Sequence, residues 1–288
     1  METNIFKASD FKESKSLIEI NNKFSSGQVT IIGGSRLFHG APILALKGAS
    51  RLVSMTYFAS PEEDKEFVNL IKSALGSFVW VPRDDVDSYI EKSDAVLIGP
   101  GLMRSHIKAK ETVCDEEGMK TRNMTINLFK KFPDKKWIVD GGSLQVINVE
   151  ELPKGAVVTP NKKEFEMLFR ENEEPDLEKR AEQIFRLAKK YGIVILTKDA
   201  VSIASDGVEV IRIEGGNDGL VTGGVGDIIA GLTLGFLAKN DGLFSVSAAS
   251  FLIKKAAEKL ALKKGLMFNA DDLVDMVPEV YQETMSSL

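Results

Sequence analysis

Chemistry concentrates late in the chain, in Gly215-Gly216-Asn217-Asp218-Gly219-Leu220-Val221-Thr222-Gly223-Gly224-Val225-Gly226-Asp227. Gly223, Gly224 and Gly226 crowd around Asp227, and the apolar run 228–237 then reads as a buried helix. Glycines just ahead of a helix let backbone N–H groups converge on an anion, where the helix dipole adds its positive end. Phosphate is the obvious anion. A carboxylate in that first turn is a poor neighbour for phosphate unless it handles a proton or a metal. A base beside a phosphate cradle is what phosphoryl transfer to a hydroxyl requires. The same residues also fit a plain glycine-rich turn in which Asp227 only favours the helix start. Two better-known phosphate motifs are excluded. There is no Walker Gly-x-x-x-x-Gly-Lys-Ser/Thr, and Ile229 stands where a dinucleotide fingerprint needs Gly or Ala.

Other candidates sit where apolar runs end. Val29-Thr30-Ile31-Ile32 stops at Gly33-Gly34, and Gly40-Ala41-Pro42 then opens an Ala-rich helix to about residue 50. Ala95-Val96-Leu97-Ile98 stops at Gly99-Pro100-Gly101. Trp137-Ile138-Val139 runs into Asp140-Gly141-Gly142, and Val157-Val158-Thr159-Pro160-Asn161 leads into a helix over 162–169 that carries Glu164. Residues 193–198 form a strand ending in Lys198. Ligands of open parallel sheets bind at strand C-terminal ends, so Gly33, Gly99, Asn161 and Gly226 are expected to gather at one rim.

The remaining elements must position these ends. Strands are expected at 52–58 and 78–81, a polar helix at 9–22 and an amphipathic helix at 176–191. Residues 201–213 read as a hairpin turning at Asp206-Gly207. Helices at 223–239, 243–263 and 270–285 close the chain, and the charged stretch 108–123 reads as a surface excursion. Short apolar strands alternating with helices predict a three-layer α/β/α sandwich with a mostly parallel central sheet. Without a repeat or a Pro/Ser-rich linker, residues 1–288 read as one domain.

Composition bounds the function. The 288 residues are 43% hydrophobic and 27% charged, an ordinary globular balance. A net charge of -5 argues against a general nucleic-acid-binding surface. The single Cys114 rules out an internal disulfide and fits a reducing compartment. With only His39 and His106, a zinc site has few ligands to draw on. The N-terminus lacks a signal-peptide pattern, and no apolar run approaches the ~20 residues of a membrane helix, so a cytoplasmic protein is expected.

Taken in order, these loops resemble the ribokinase-like superfamily, and within it the ADP- or ATP-dependent NAD(P)H-hydrate dehydratases. The resemblance runs from Gly33-Gly34-Ser35-Arg36 to Asp271-Asp272-Leu273-Val274, through Gly40-Ala41-Pro42, Gly99-Pro100-Gly101-Leu102, Thr159-Pro160-x-x-x-Glu164-Phe165 and Thr222-Gly223-Gly224-Val225-Gly226-Asp227. It implies that a nucleotide phosphorylates the hydroxyl of a hydrated nicotinamide ring and that phosphate then leaves, restoring NAD(P)H. By that resemblance Asp227 is the base. Ala41, Gly101, Asn161 and Asp227 face the substrate, NADHX or NADPHX. Lys198, Asp199, Ala200, Val201 and Ser202 hold ADP or ATP together with Gly223, Gly224 and Gly226. Glu164 acts on Mg²⁺ through water, although the residue taken alone reads as an exposed helix charge, and Lys198 as a solvated strand end. Any epimerase partner would be a separate chain, and the sequence leaves a homo-oligomer open. Four positions depart from the family pattern. Asn161 stands for its histidine, Val225 for the loop threonine and Asp199 for a glycine, and Asp140-Gly141-Gly142 lacks a second acidic residue. The motif Asn161-x-x-Glu164 looks like that of small-molecule kinases, which keeps a kinase acting on a hydroxymethylpyrimidine or sugar-like alcohol in view. A catalytically silent nucleotide-binding protein is the third reading, and the presence of Asp227 argues against it.

Overall fold

The computed structural model describes residues 3–14, 25–61, 63, 65–73, 75–104 and 115–288. His106, Cys114, the segment 108–114 and residues 15–22 of the expected leading helix lie outside them.

Among the described residues ten strands form one sheet: β1 (Asn4–Ile5), β2 (Gln28–Ile32), β3 (Met55–Ser60), β4 (Val79–Pro82), β5 (Ala95–Ile98), β6 (Lys136–Val139), β7 (Val157–Val158), β8 (Val194–Thr197), β9 (Ser202–Ser205) and β10 (Val210–Ile213). Their order is β1-β10-β9-β8-β7-β6-β5-β2-β3-β4. Only β9 runs antiparallel to its neighbours, β8 and β10. The chain winds from β2 outward to β4, then returns to place β5 on the other side of β2 and winds away through β8. The switch point therefore lies between β2 and β5, where the loops beginning at Gly33 and Gly99 leave the sheet side by side.

The alternation of strand side chains divides the interior in two. Val29, Ile31, Ala95 and Leu97 point into one core, while Ile32, Val96 and Ile98 point into the other. The first core is covered by α1 (Gly40–Ala49), α2 (Lys65–Ile71), α8 (Val225–Leu237), α9 (Gly242–Lys264) and α10 (Ala270–Ser286). The second is covered by α3 (Asp87–Lys92), α4 (Glu116–Lys131), the short α5 (Gly141–Leu144), α6 (Lys162–Phe169) and α7 (Leu177–Tyr191). This is the expected three-layer α/β/α arrangement.

Several boundaries differ from expectation. The strand expected at 52–58 runs over Met55–Ser60, because Leu52 instead packs into the core below the turn that ends α1. The described part of the expected leading helix is a 3-10 turn, Ala8–Glu13, whose Phe11 is buried with Phe6 against Phe236, Phe244, Phe251 and Tyr281. The charged excursion becomes α4 from Glu116 onward. Asp115 caps it by accepting from the Gly118 N–H at 2.8 Å, and Glu116 and Lys131 lie at the ends the helix dipole favours. The hairpin turn is four residues long, because Asp206 accepts from both Val208 and Glu209 N–H and delays pairing to Val210.

Helix α8 is apolar all round because it lies in the middle of its layer, between α1 and α9 and against the sheet. A Cβ on Gly231 would meet the Ala45 carbonyl at 2.1 Å, so α1 and α8 touch backbone to backbone. They run in the same sense, with Gly224 beside Leu44 and Gly235 beside Leu52. Both helix N-termini thus open at the rim where the parallel strands end.

Candidate active site

The site grows from the ends of β2, β5, β6, β7 and β8. Gly33 and Gly34 meet Pro100, whose carbonyl accepts the Gly34 N–H at 3.0 Å. Gly99, at φ +126°, crosses Asp140 so closely that a Cβ would lie 1.7 Å from the Asp140 carbonyl. That crossing fixes where the Asp140 side chain stands. Its Oδ1 accepts from Thr159 Oγ1 at 2.8 Å and from Lys198 Nζ at 3.0 Å, and the ion pair is nearly closed off, with side chains 4% and 15% exposed. Lys198 reaches on to α8, where a Cβ added to Gly226 would sit 2.9 Å from its Nζ. It is not a solvated strand end.

Asn161 and Glu164 cap α6 reciprocally. Asn161 Oδ1 accepts from Lys163 and Glu164 N–H, and Glu164 Oε2 accepts from Asn161 N–H at 2.9 Å. Glu164 is not an exposed helix charge. It is 5% exposed, and Gln145 Nε2 donates to its Oε1 at 3.1 Å. Gly33, Gly99, Asn161 and Gly226 therefore gather at one rim, linked through Asp140, Lys198 and Glu164.

Three carboxylates, Asp140, Glu164 and Asp227, share this rim with Lys198, and two of them, Asp227 and Glu164, are perturbed. Burial, then the Asp140 carboxylate, push the Asp227 carboxyl up to about 7 against the pull of Lys198, and Glu164 adds to the rise. Glu164 is also raised, by burial first, with Lys198 opposing and Asp140 reinforcing. Burial works to lower Lys198, but Asp140, Glu164 and Asp227 together hold it above its ordinary value. The rim carries more negative charge than its lysine neutralises. Among the described residues no three His, Cys, Asp or Glu side chains stand close enough to enclose a metal ion. The donor set instead suits a hydrated, oxygen-preferring cation that arrives on phosphate and meets the carboxylates through water.

At the start of α8, Gly224 adopts φ +95° and offers no side chain to cap the helix. The first-turn N–H groups, which have no partner within a helix, thus face the rim beside Lys198. Next to them opens a cleft of about 670 Å³, walled by Lys198, Asp199, Ala200, Ser202, Asn217 and Val225 among others. Of the residues expected to hold a nucleotide, Lys198, Asp199, Ala200 and Ser202 line it, whereas Val201 does not, and Gly223 and Gly224 form the turn into α8 beside it. Asp199 carries a carboxylate bound by Arg180 Nη1 at 2.5 Å. On the other side of the rim, Gly101 is buried beneath the loop leading into α1, its position fixed by Phe38 and Pro42, while Ala41 remains partly open in the first turn of α1. Sequence reasoning assigns Asp140 no role and passes over Lys254. Asp140 was detectable as an acidic residue at a strand end before two glycines. Lys254, inside a long helix, gave no local signal.

This rim, with its switch-point loops, helix N-termini and adjoining cleft, is built on a ribokinase-like fold. A ribokinase-like superfamily protein of Enterococcus faecalis superposes with a TM-score of 0.80 at 21% identity, the match covering 98% of this chain and 96% of that one. An ADP/ATP-dependent NAD(P)H-hydrate dehydratase of Bacillus subtilis, co-crystallised with ATP/Mg²⁺, gives 0.80 at 21% identity over 99% of each. The chain belongs to the NAD(P)H-hydrate dehydratase family, whose model matches residues 29–279. It is 30% identical over 265 residues, 90% of both chains, to the ADP-dependent (S)-NAD(P)H-hydrate dehydratase of Cenarchaeum symbiosum. A bifunctional NAD(P)H-hydrate repair enzyme of Hyperthermus butylicus is 29% identical, and this chain spans about half of it, 49%. These relatives favour the dehydratase reading over the small-alcohol kinase. Among the described residues no helix is long and apolar enough to cross a membrane.

Proposed function

We propose that this protein uses ADP or ATP to return hydrated NADH or NADPH to the reduced dinucleotide. Asp227 takes the proton from the ring hydroxyl as that oxygen attacks the terminal phosphorus of the nucleotide. AMP or ADP leaves, the phosphorylated ring then loses phosphate by C–O cleavage and gives up a ring proton, and the ring double bond is restored. The observation that carries this reading is Asp227 itself, its carboxyl poised at about 7 in the first turn of α8, beside Lys198 and the open N–H groups.

The other residues have roles set by their surroundings. The α8 N–H groups and Lys198 cradle the transferring phosphate, where fixed donors stabilise charge as it develops. Adenosine lies in the cleft along Lys198, Asp199, Ala200 and Ser202. Ala41, Gly101 and Asn161 line the opposite side, with Asn161 Nδ2 left over from capping to meet the substrate. Mg²⁺, held by the nucleotide phosphates and by Glu164 through water, would neutralise phosphate charge. The relatives that join two activities in one chain support a partner epimerase acting on the same substrate.

The test is direct. Purified protein with NADHX or NADPHX, Mg²⁺ and either ADP or ATP should release phosphate and reduced dinucleotide in equal amounts. A stable phosphorylated alcohol, or no nucleotide-dependent reaction with either hydrate, would overturn the reading.

A further inference from the structure

Lys254 lies midway along α9 and is 3% exposed. Its Nζ donates to three backbone carbonyls: Ala200 at 2.5 Å, Asp199 at 3.2 Å and Gly215 at 3.3 Å. The first two belong to the turn after β8 and the third to the glycine loop after β10, and these are facing walls of the 670 Å³ cleft. The next turn of α9 holds the same loop. Glu258 Oε1 accepts from Gly216 N–H at 2.9 Å, and Asn217 Nδ2 donates to the Ala257 carbonyl at 2.8 Å. Gly215 and Gly216, at φ +95° and +84°, supply no side chains to set the gap, so the width between the walls depends on these ties from α9.

We infer that Lys254 is a positioning residue for the nucleotide, its ammonium clamping the two walls of the cleft at the separation that adenosine requires. The inference rests on the nucleotide reading of that cleft. A charged ammonium is needed for the full set of bonds, because it offers three donors and keeps no lone pair. A neutral amine keeps only two donors and turns a lone pair toward a carbonyl oxygen. Burial pushes this group down to about 8, against the opposing pull of Asp199 and Glu258. The charged groups around it are Lys198 and Asp199 on the turn after β8, Asp218 beyond the glycine loop, and Lys255 and Glu258 on α9. The clamp therefore loosens at mildly alkaline pH.

The experiment measures the affinity of the full chain for ADP and ATP by calorimetry from pH 7.5 to 9.5, with turnover and thermal melting in parallel. The parent should bind roughly tenfold more weakly one unit above the transition, with a midpoint near 8. Lys254→Met, close in shape and without charge, should bind at least ~10-fold more weakly at pH 7.5 and lose the alkaline transition. Its loss should fall on the nucleotide KM more than on kcat, and the KM for the hydrated dinucleotide should move less than threefold. Lys254→Arg, which keeps charge and donors, should recover part of the affinity. If Lys254→Met fails to fold, the parent's alkaline transition and the arginine variant still decide. A flat profile in a parent that binds nucleotide overturns the clamp alone. Equal affinity of parent and Lys254→Met does the same. A parent that binds neither nucleotide overturns the clamp together with the nucleotide reading.

Discussion

Replacing Asp227 with Asn separates chemistry from stability, since it keeps the shape and removes one charge and one proton acceptor. The folded carboxyl sits at about 7, against 3.8 for the free group. Three units at ~1.4 kcal/mol each place an upper bound of about 4 kcal/mol on the cost of ionising it in the fold. The residue is only partly buried in the fold, so solvent screening reduces this to roughly 2 kcal/mol. The sign follows from proton binding. Between about pH 4 and 7 the folded state holds a proton that the unfolded chain releases, so stability falls as pH rises through that window and is level above it. The Asn variant escapes that loss. It should melt several degrees above the parent at pH 8 and close to it near pH 4. Turnover should move the other way, down ~10²–10⁴-fold, while nucleotide affinity holds or improves. Parent kcat/KM should fall about tenfold per unit below pH 7, because the base must be ionised to accept the proton. Three assays on one pair of proteins suffice: recovery of NAD(P)H from its hydrate, calorimetric nucleotide binding, and melting at the two pH values. Turnover within a few-fold of the parent refutes the base. A variant less stable than the parent at pH 8 refutes the electrostatic account of the site.

Lys198→Met strands the Asp140 carboxylate without its cation and should cost ~3–5 kcal/mol in chemical denaturation. Adding Asp140→Asn should return much of that, and strict additivity would show that the pair is not coupled. Gly99→Ala forces a Cβ against the Asp140 carbonyl at φ +126°, so a loss above ~4 kcal/mol or insoluble protein is expected, and a mild change in melting would contradict the crossing. Asn161→Ala removes the acceptor for two α6 N–H groups and should cost ~1 kcal/mol. Asn161→Asp retains the cap, so a raised KM for the hydrate in both variants would assign the amide nitrogen to substrate.

Much of the fold was legible because its signals are local. Apolar β-branched runs such as 95–98 and 194–197 form strands wherever both faces are covered, and caps such as Asn161 and Asp176 mark helix starts by themselves. Elements whose identity depends on distant partners were harder to read. Leu52 reads as a strand residue until the underside of α1 claims it, and Phe11 reads as part of a polar helix until the aromatic cluster of α8, α9 and α10 buries it.

The sequence by itself determined the chemical parts: a glycine loop before an apolar helix, one carboxylate inside it, and polar residues at the ends of parallel strands. Those follow from spacing along the chain, which fixes backbone conformation over a few residues. Tertiary structure decided which parts meet and in what ionisation state. Asp140 and Lys198 are 58 residues apart and Lys254 and Ala200 are 54 apart, yet each pair is joined directly. Nor could the sequence show that Asp227 stays half-ionised near neutrality. A carboxyl's affinity for its proton is set by the water removed from around it and by the charges that the fold carries to it, and both are properties of the packed chain.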